Sequence, residues 1–176
     1  MSPWVFDFAV ADELIRVMRL IFFSLLILSS SAFAESCPNF QAGFDVDKIV
    51  STIAPVAREN LHRAFGEDGK TLSKETAIEK AKPLLTKEQM NCVVYAGLDS
   101  AEAEFCQLDY RKLNFAPFML WLRKHINNAE RPAAFAGLMH GISSQTFKQA
   151  FVEKQTTCAD ARKESLKKRL ESLWKR

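Results

Sequence analysis

The sequence predicts an all-α fold, a compact multi-helix domain stapled by two disulfides. Apolar residues recur at three- and four-residue steps along most of the chain, and no alternating strand pattern of useful length appears. Four cysteines, an even number, all follow a stretch laid out like a secretory leader, which reads as two bridges formed in an oxidising compartment. Fourteen phenylalanines and three tryptophans against six glycines supply a helical core rather than a loop-rich scaffold.

The leader is read from Met18-Arg19, the apolar run Leu20 to Leu28, and the small-x-small ending Ala32-Phe33-Ala34, which predicts cleavage after Ala34. The apolar core is too short for a membrane-spanning helix. Residues 1–17 carry Asp7, Asp12 and Glu13 against Arg16, the wrong balance for the start of a signal. They are expected to be an upstream extension, with Met18 as the true start. The short, singly charged start suits a bacterial periplasm. The expected division is therefore 1–17 extension, 18–34 cleaved signal and 35–176 a single mature domain. That domain holds 22 basic and 18 acidic side chains, a formal +4. Its size allows burial of roughly two-thirds of the unfolded surface, so it needs no cofactor to fold.

Within it, Asp45 to Phe65 places Val46, Ile49, Val50, Ile53, Val56, Leu61 and Phe65 on helical spacing, and Pro55 predicts a kink or a break into two pieces. Gly66 to Gly69 is a turn. Ser73 starts a second helix through Thr76, Ile78 and Ala81, which Pro83 ends. Thr86 with Gln89 is a capping box that opens a third helix through Met90, Val93, Val94 and Leu98. Gly97 to Ser100 then reads as an interruption, with Asp99 and Glu102 starting a further helix to about Leu113. Pro117 suits the first turn of an apolar helix from Phe118 to Ile126, stopped by Asn127-Asn128. Pro132 opens the next, Ser143-Ser144 breaks it, and Phe147, Phe151 and Val152 mark a short helix before Cys158.

From Ala159 the last helix carries Leu166, Leu170, Leu173 and Trp174 on one side. Arg162, Lys163, Lys167, Lys168, Arg169, Lys175 and Arg176 outnumber Asp160, Glu164 and Glu171 elsewhere on it. This is expected to be a docked helix with a solvated basic face. Adhesion to nucleic acid or an anionic membrane is the lesser reading, resting on charge patterning alone.

The chain offers little to catalysis. Glu59 and His62 have the Glu-x-x-His spacing of a metal pair, but a di-metal bundle needs that motif twice; a surface pair explains it as well. Asp68, Gly69 and Glu75 match half a calcium loop whose first ligand positions, Ala64 and Gly66, carry no carboxylate. Met139-His140 reads as packing on a core-facing helix. No nucleophile elbow, phosphate-cradling glycine loop, redox Cys-x-x-Cys or haem-attachment motif occurs. No enzyme, metal or cofactor is expected.

From Cys106 onward, the chain shows Cys106, Asp109-Tyr110, Pro117, Trp121, Cys158, Leu166-Lys167, Leu170 and Trp174. This layout resembles the HdeA/HdeB family of periplasmic acid-stress chaperones: small, secreted, all-helical proteins with a disulfide at similar spacing. The resemblance implies a Cys106–Cys158 bridge. Cys37-Pro-Asn-Phe40 resembles a second opening motif, and the interval Cys37 to Cys92 is similar. That suggests a degenerate tandem duplication with a second bridge, Cys37–Cys92. The rival pairing, Cys92–Cys106 with Cys37–Cys158, fits a helical hairpin equally well. Separately, Cys92-Val-Val-Tyr95-Ala-Gly97, Phe105-Cys106, Trp121-Leu122 and Pro132-Ala-Ala134 are similar to periplasmic immunity proteins that neutralise amidase effectors of type VI secretion.

Both resemblances imply a protein that binds another protein, a client or one effector, and both are compatible with a homodimer. Under the first, acid neutralises 18 carboxylates and charges three histidines, taking the formal charge from +4 towards +25. Self-repulsion would loosen the fold, the disulfides would keep it compact, and apolar surface would appear. Phe118, Trp121 and Trp174 are the expected binding surface.

Overall fold

The computed structural model describes residues 44–66, 68–154 and 157–174 of the compact unit Cys37–Arg176. The expected extension, signal peptide and Cys37 lie outside the described residues. Among those described there are six α-helices and no β-strand; the fold is all-α.

Helix α1, Val46–Glu59, starts where the Asp45 carboxylate accepts from the Lys48 backbone N–H. It runs through Pro55 without the expected break and ends only at Asn60, followed by a 3₁₀ turn, Leu61–Arg63. Its Val50, Ile53 and Ala57 face the core. The turn at Gly66–Gly69 forms as expected, with Gly69 at φ +75°, a backbone region open to glycine.

Helix α2 is one turn, Ala77–Lys80. It begins at Thr76 rather than Ser73, because Thr76 and Glu79 form a reciprocal capping box. The Thr86–Gln89 box opens helix α3, Lys87–Phe105, which then passes straight through the expected interruption at Gly97–Ser100. Asp99 is therefore no cap; it is buried inside the helix.

Gln107, at φ 56°, turns the chain out of α3. A five-residue π-helix follows, Arg111–Phe115, and leads directly into α4, Ala116–His125. Pro117 explains the wide turn. It has no N–H to give, and its ring crowds the carbonyl four residues back, so the preceding turn opens and Ala116 N–H bonds to Arg111 O instead. Asn127 and Asn128, at φ 51° and 55°, stop the chain as anticipated.

Helix α5, Glu130–Glu153, is one 24-residue rod, not two helices broken at Ser143-Ser144. The two misread breaks are two sides of one crossing. A Cβ on Gly97 would lie 2.9 Å from the Ser143 Cβ and 3.2 Å from the His140 carbonyl oxygen. Glycine and serine let α3 and α5 approach backbone to backbone, and these helices share the most extensive contact in the molecule. The small residues are packing, not punctuation.

Helix α6, Asp160–Leu173, docks through Leu166 and Leu170. Its site is a small second core of Ala103, Cys106, Leu166 and Leu170, closed by the Cys106–Cys158 disulfide. That bridge overturns the hairpin pairing, which needed Cys106 for Cys92. Cys92 is disulfide-bonded as well. The main core lies between α1, α3, α4 and α5 and includes Leu61, Val93, Val94, Phe118, Leu122 and Met139.

Candidate functional site

The polar residues that the helical pattern places inside the molecule gather at one junction. Asp99 and Ser100 come from α3, Asn114 from the π-helix, His140 and Ser143 from α5, and all are buried. Helix α6 closes the junction with Arg169 and, just past its end, Trp174.

A hydrogen-bond chain runs through it. Trp174 Nε1 donates to Asn114 Oδ1 at 2.7 Å. Asn114 Nδ2 donates to the Ala96 carbonyl at 2.7 Å and to Ser100 Oγ at 2.9 Å. Ser100 Oγ lies 2.9 Å from His140 Nε2. Since Ser100 already accepts from Asn114, its own proton is satisfied when it donates to an unprotonated Nε2. The chain is thus complete with a neutral imidazole; a protonated Nε2 could still donate to the second Ser100 lone pair, and what disfavours the cation is its burial. Burial pushes the His140 pKa from 6.5 down to about 4, with hydrogen bonding towards the Ala96 carbonyl opposing in part. The π-turn makes the arrangement possible, because it re-aims Asn114 into the gap between α3 and α6.

A charged clamp sits beside it. Arg169 reaches Asp99 Oδ1 at 2.7 Å and Glu102 Oε2 at 3.2 Å, while Arg162 bonds Glu102 Oε1 at 2.7 Å. Arg162 and Arg169 stand two turns apart on α6, and Asp99 and Glu102 one turn apart on α3, so the pairs match in register. The lysines behave differently: Lys167 and Lys168 are exposed. The basic face expected for α6 is therefore divided: Arg162 and Arg169 are bonded inward, as the planar guanidinium fork favours, while Lys167 and Lys168 lie in solvent. Asp99 is 1% exposed and its Oδ2 has no partner. Burial raises its pKa from 3.8 to about 6, the neighbouring Arg169 pulls the other way, and Glu102 adds to the rise.

The Ser100–His140 pair has the separation of a nucleophile and its base, but no exposed face. Ser100 is 0% and His140 3% exposed, and the hydroxyl is occupied by Asn114. The arrangement ties four elements together; it presents nothing to a substrate.

Phe118, Trp121 and Trp174, the expected binding surface, do come together, with Trp174 ring centroids 5.0 Å from Phe118 and 5.3 Å from Trp121. All three are buried, and Phe118 also stacks on His140 at 6.2 Å. On the folded molecule they are core. His62 Nδ1 bonds the Glu59 carbonyl, and no group of three metal-capable side chains occurs among the described residues. Met139 and His140 are both buried, as a packing role requires.

Sequence reasoning missed Asp99, Ser100, Asn114 and Arg169. The available signal was phase: Asp99 and Ser100 follow the apolar positions Val93 and Ala96 by whole turns, and so belong to a buried face. No family model, curated protein or solved structure matches the chain.

Proposed function

We propose that this chain is a non-catalytic, periplasmic protein-binding module that stays closed at neutral pH and opens in acid to hold unfolding clients. The observation that carries this is the buried chain from Trp174 to His140, complete when the imidazole is neutral. Proton uptake by His140 sets a cation against Ser100 in the core. Neutralising Glu102 removes the carboxylate that Arg162 and Arg169 share. Both changes act on the seat of α6, while the rising net charge favours expansion. If α6 lifts, Phe118, Trp121 and Trp174 become accessible together, and the Cys106–Cys158 bridge holds the helix near its site. This accords with the resemblance to the HdeA/HdeB chaperones. A second bridge, Cys37–Cys92, within a degenerate duplication belongs to the same reading; Cys92 is buried and bonded.

The test is acid titration of residues 35–176, following tryptophan emission, with suppression of client aggregation assayed in parallel. Red-shifted emission and client protection should appear together below about pH 4, where His140 charges. Native emission and no protection at pH 2–3 would sink the reading.

A second reading, an immunity-type inhibitor, is favoured by a different observation. Phe65 is 72% exposed at the lip of a cavity of about 340 Å³ lined by Phe115, Met119 and Leu138, an apolar feature already present in the folded molecule. Tight binding to one partner at neutral pH, abolished by Phe65→Asp, would select this reading over the first.

A further inference from the structure

A separate feature lies on the far side of α1. Arg58 binds the Glu75 carboxylate through two nitrogens, at 3.0 and 2.9 Å, and its Nη2 also donates to the Glu79 and Lys82 carbonyls at 2.9 Å each. Arg131 on α5 donates to both the carbonyl and the hydroxyl of Ser73 at 3.0 Å. These bonds fix the 73–82 segment over α1 and leave a cleft of about 530 Å³, within the usual size of small-molecule sites. Glu75 is neutralised on the spot, its side chain only 4% exposed. Lys74 and Lys80 also line the cleft, both exposed and neither in an ion pair among the described residues. Arg131 acts on the nearby Glu79 carboxylate, and Glu59 is the other lining carboxylate besides Glu75, so Lys74 and Lys80 leave the rim cationic.

At Pro55 and Arg58 this cleft adjoins a second cavity, of about 380 Å³, whose wall is apolar: Ala54, Leu84, Leu85, Met90 and Phe135. The two share Pro55 and Arg58 as lining residues. A cationic end that gives onto an apolar groove matches a ligand with an anionic head and an apolar tail.

We propose that the Arg58–Lys74–Lys80 cleft and the adjoining Leu84–Met90–Phe135 groove form a binding site for a small amphiphilic carboxylate, headgroup at the lysines and chain along the groove. The site is independent of the buried junction and of the protein-binding reading. Recognition combines charge attraction at the rim with burial of the chain, so neither a bare carboxylate nor a bare alkyl chain satisfies it.

The test is amide chemical-shift titration of residues 35–176 at neutral pH with octanoate, acetate and 1-octanol as probes. Octanoate should shift residues 74–85 together with Met90 and Phe135, and bind at least tenfold more tightly than either other probe. Lys74→Glu with Lys80→Glu, both on exposed side chains, should keep the native spectrum and weaken octanoate about tenfold. The proposal is overturned if acetate matches octanoate, if 1-octanol matches it, if the double variant binds octanoate unchanged, or if no localised shifts appear.

Discussion

Removing the Asp99 charge should make the protein more sensitive to acid, although it takes a strained carboxylate out of the core. His140 has its pKa near 4 in the fold and 6.5 when unfolded, so its contribution to stability is complete above pH 6.5 and is lost as pH falls to about 4. Asp99 has its pKa near 6 in the fold and 3.8 when unfolded. The folded state therefore binds the extra proton, and stability is gained as pH falls from about 6 to 3.8. At 1.36 kcal/mol per pH unit, each is worth about 3 kcal/mol, with opposite signs over nearly the same window. In the native chain they offset between about pH 6.5 and 4, so the junction holds until His140 charges in place and the net charge of the whole molecule rises. Asp99→Asn leaves the His140 loss uncompensated. Between pH 6.5 and 4, its Tm should fall by about 10 °C more than that of the native chain, taking about 3 °C per kcal/mol for a domain of this size. His140→Gln should do the reverse, and the double variant should run parallel to the native curve. Scanning calorimetry at half-unit pH steps measures all three. Parallel curves for Asp99→Asn and the native chain would refute the reasoning.

Three further outcomes follow from the packing. Gly97→Ala drives a methyl into Ser143 and should cost about 1–3 kcal/mol in urea unfolding; adding Ser143→Gly should recover much of it, because the obstacle is that side chain. Trp174→Phe keeps the ring but orphans the buried Asn114 Oδ1, for a loss of about 1–3 kcal/mol, whereas Lys167→Ala on the exposed face of α6 should leave stability within about 0.5 kcal/mol. Cys158→Ser opens a loop closed across 52 residues and should cost about 4 kcal/mol, with α6 the first helix to lose amide protection in hydrogen exchange.

Local signals in the sequence determined the helical class and most helix ends. Thr86 with Gln89, Pro117 and the pair Asn127-Asn128 act through their own backbone neighbours, and each behaves as its local chemistry requires. The apolar stripe of α6 was legible for the same reason: Leu166 and Leu170 are a turn apart whatever they touch. Where a residue's role depended on a partner distant in the chain, the sequence misled. Gly97 and Ser143 carry the composition of helix breaks, and only their meeting across α3 and α5 makes them part of the most extensive helix contact among the described residues. Asp99 has the spacing of a helix cap, yet Arg169, seventy residues later, makes it half of a clamp. His140 reads as ordinary packing until Asn114 and Ser100 join it to Trp174. Tertiary structure decided these because burial and pairing are properties of two segments at once, and a one-dimensional pattern records only one of them.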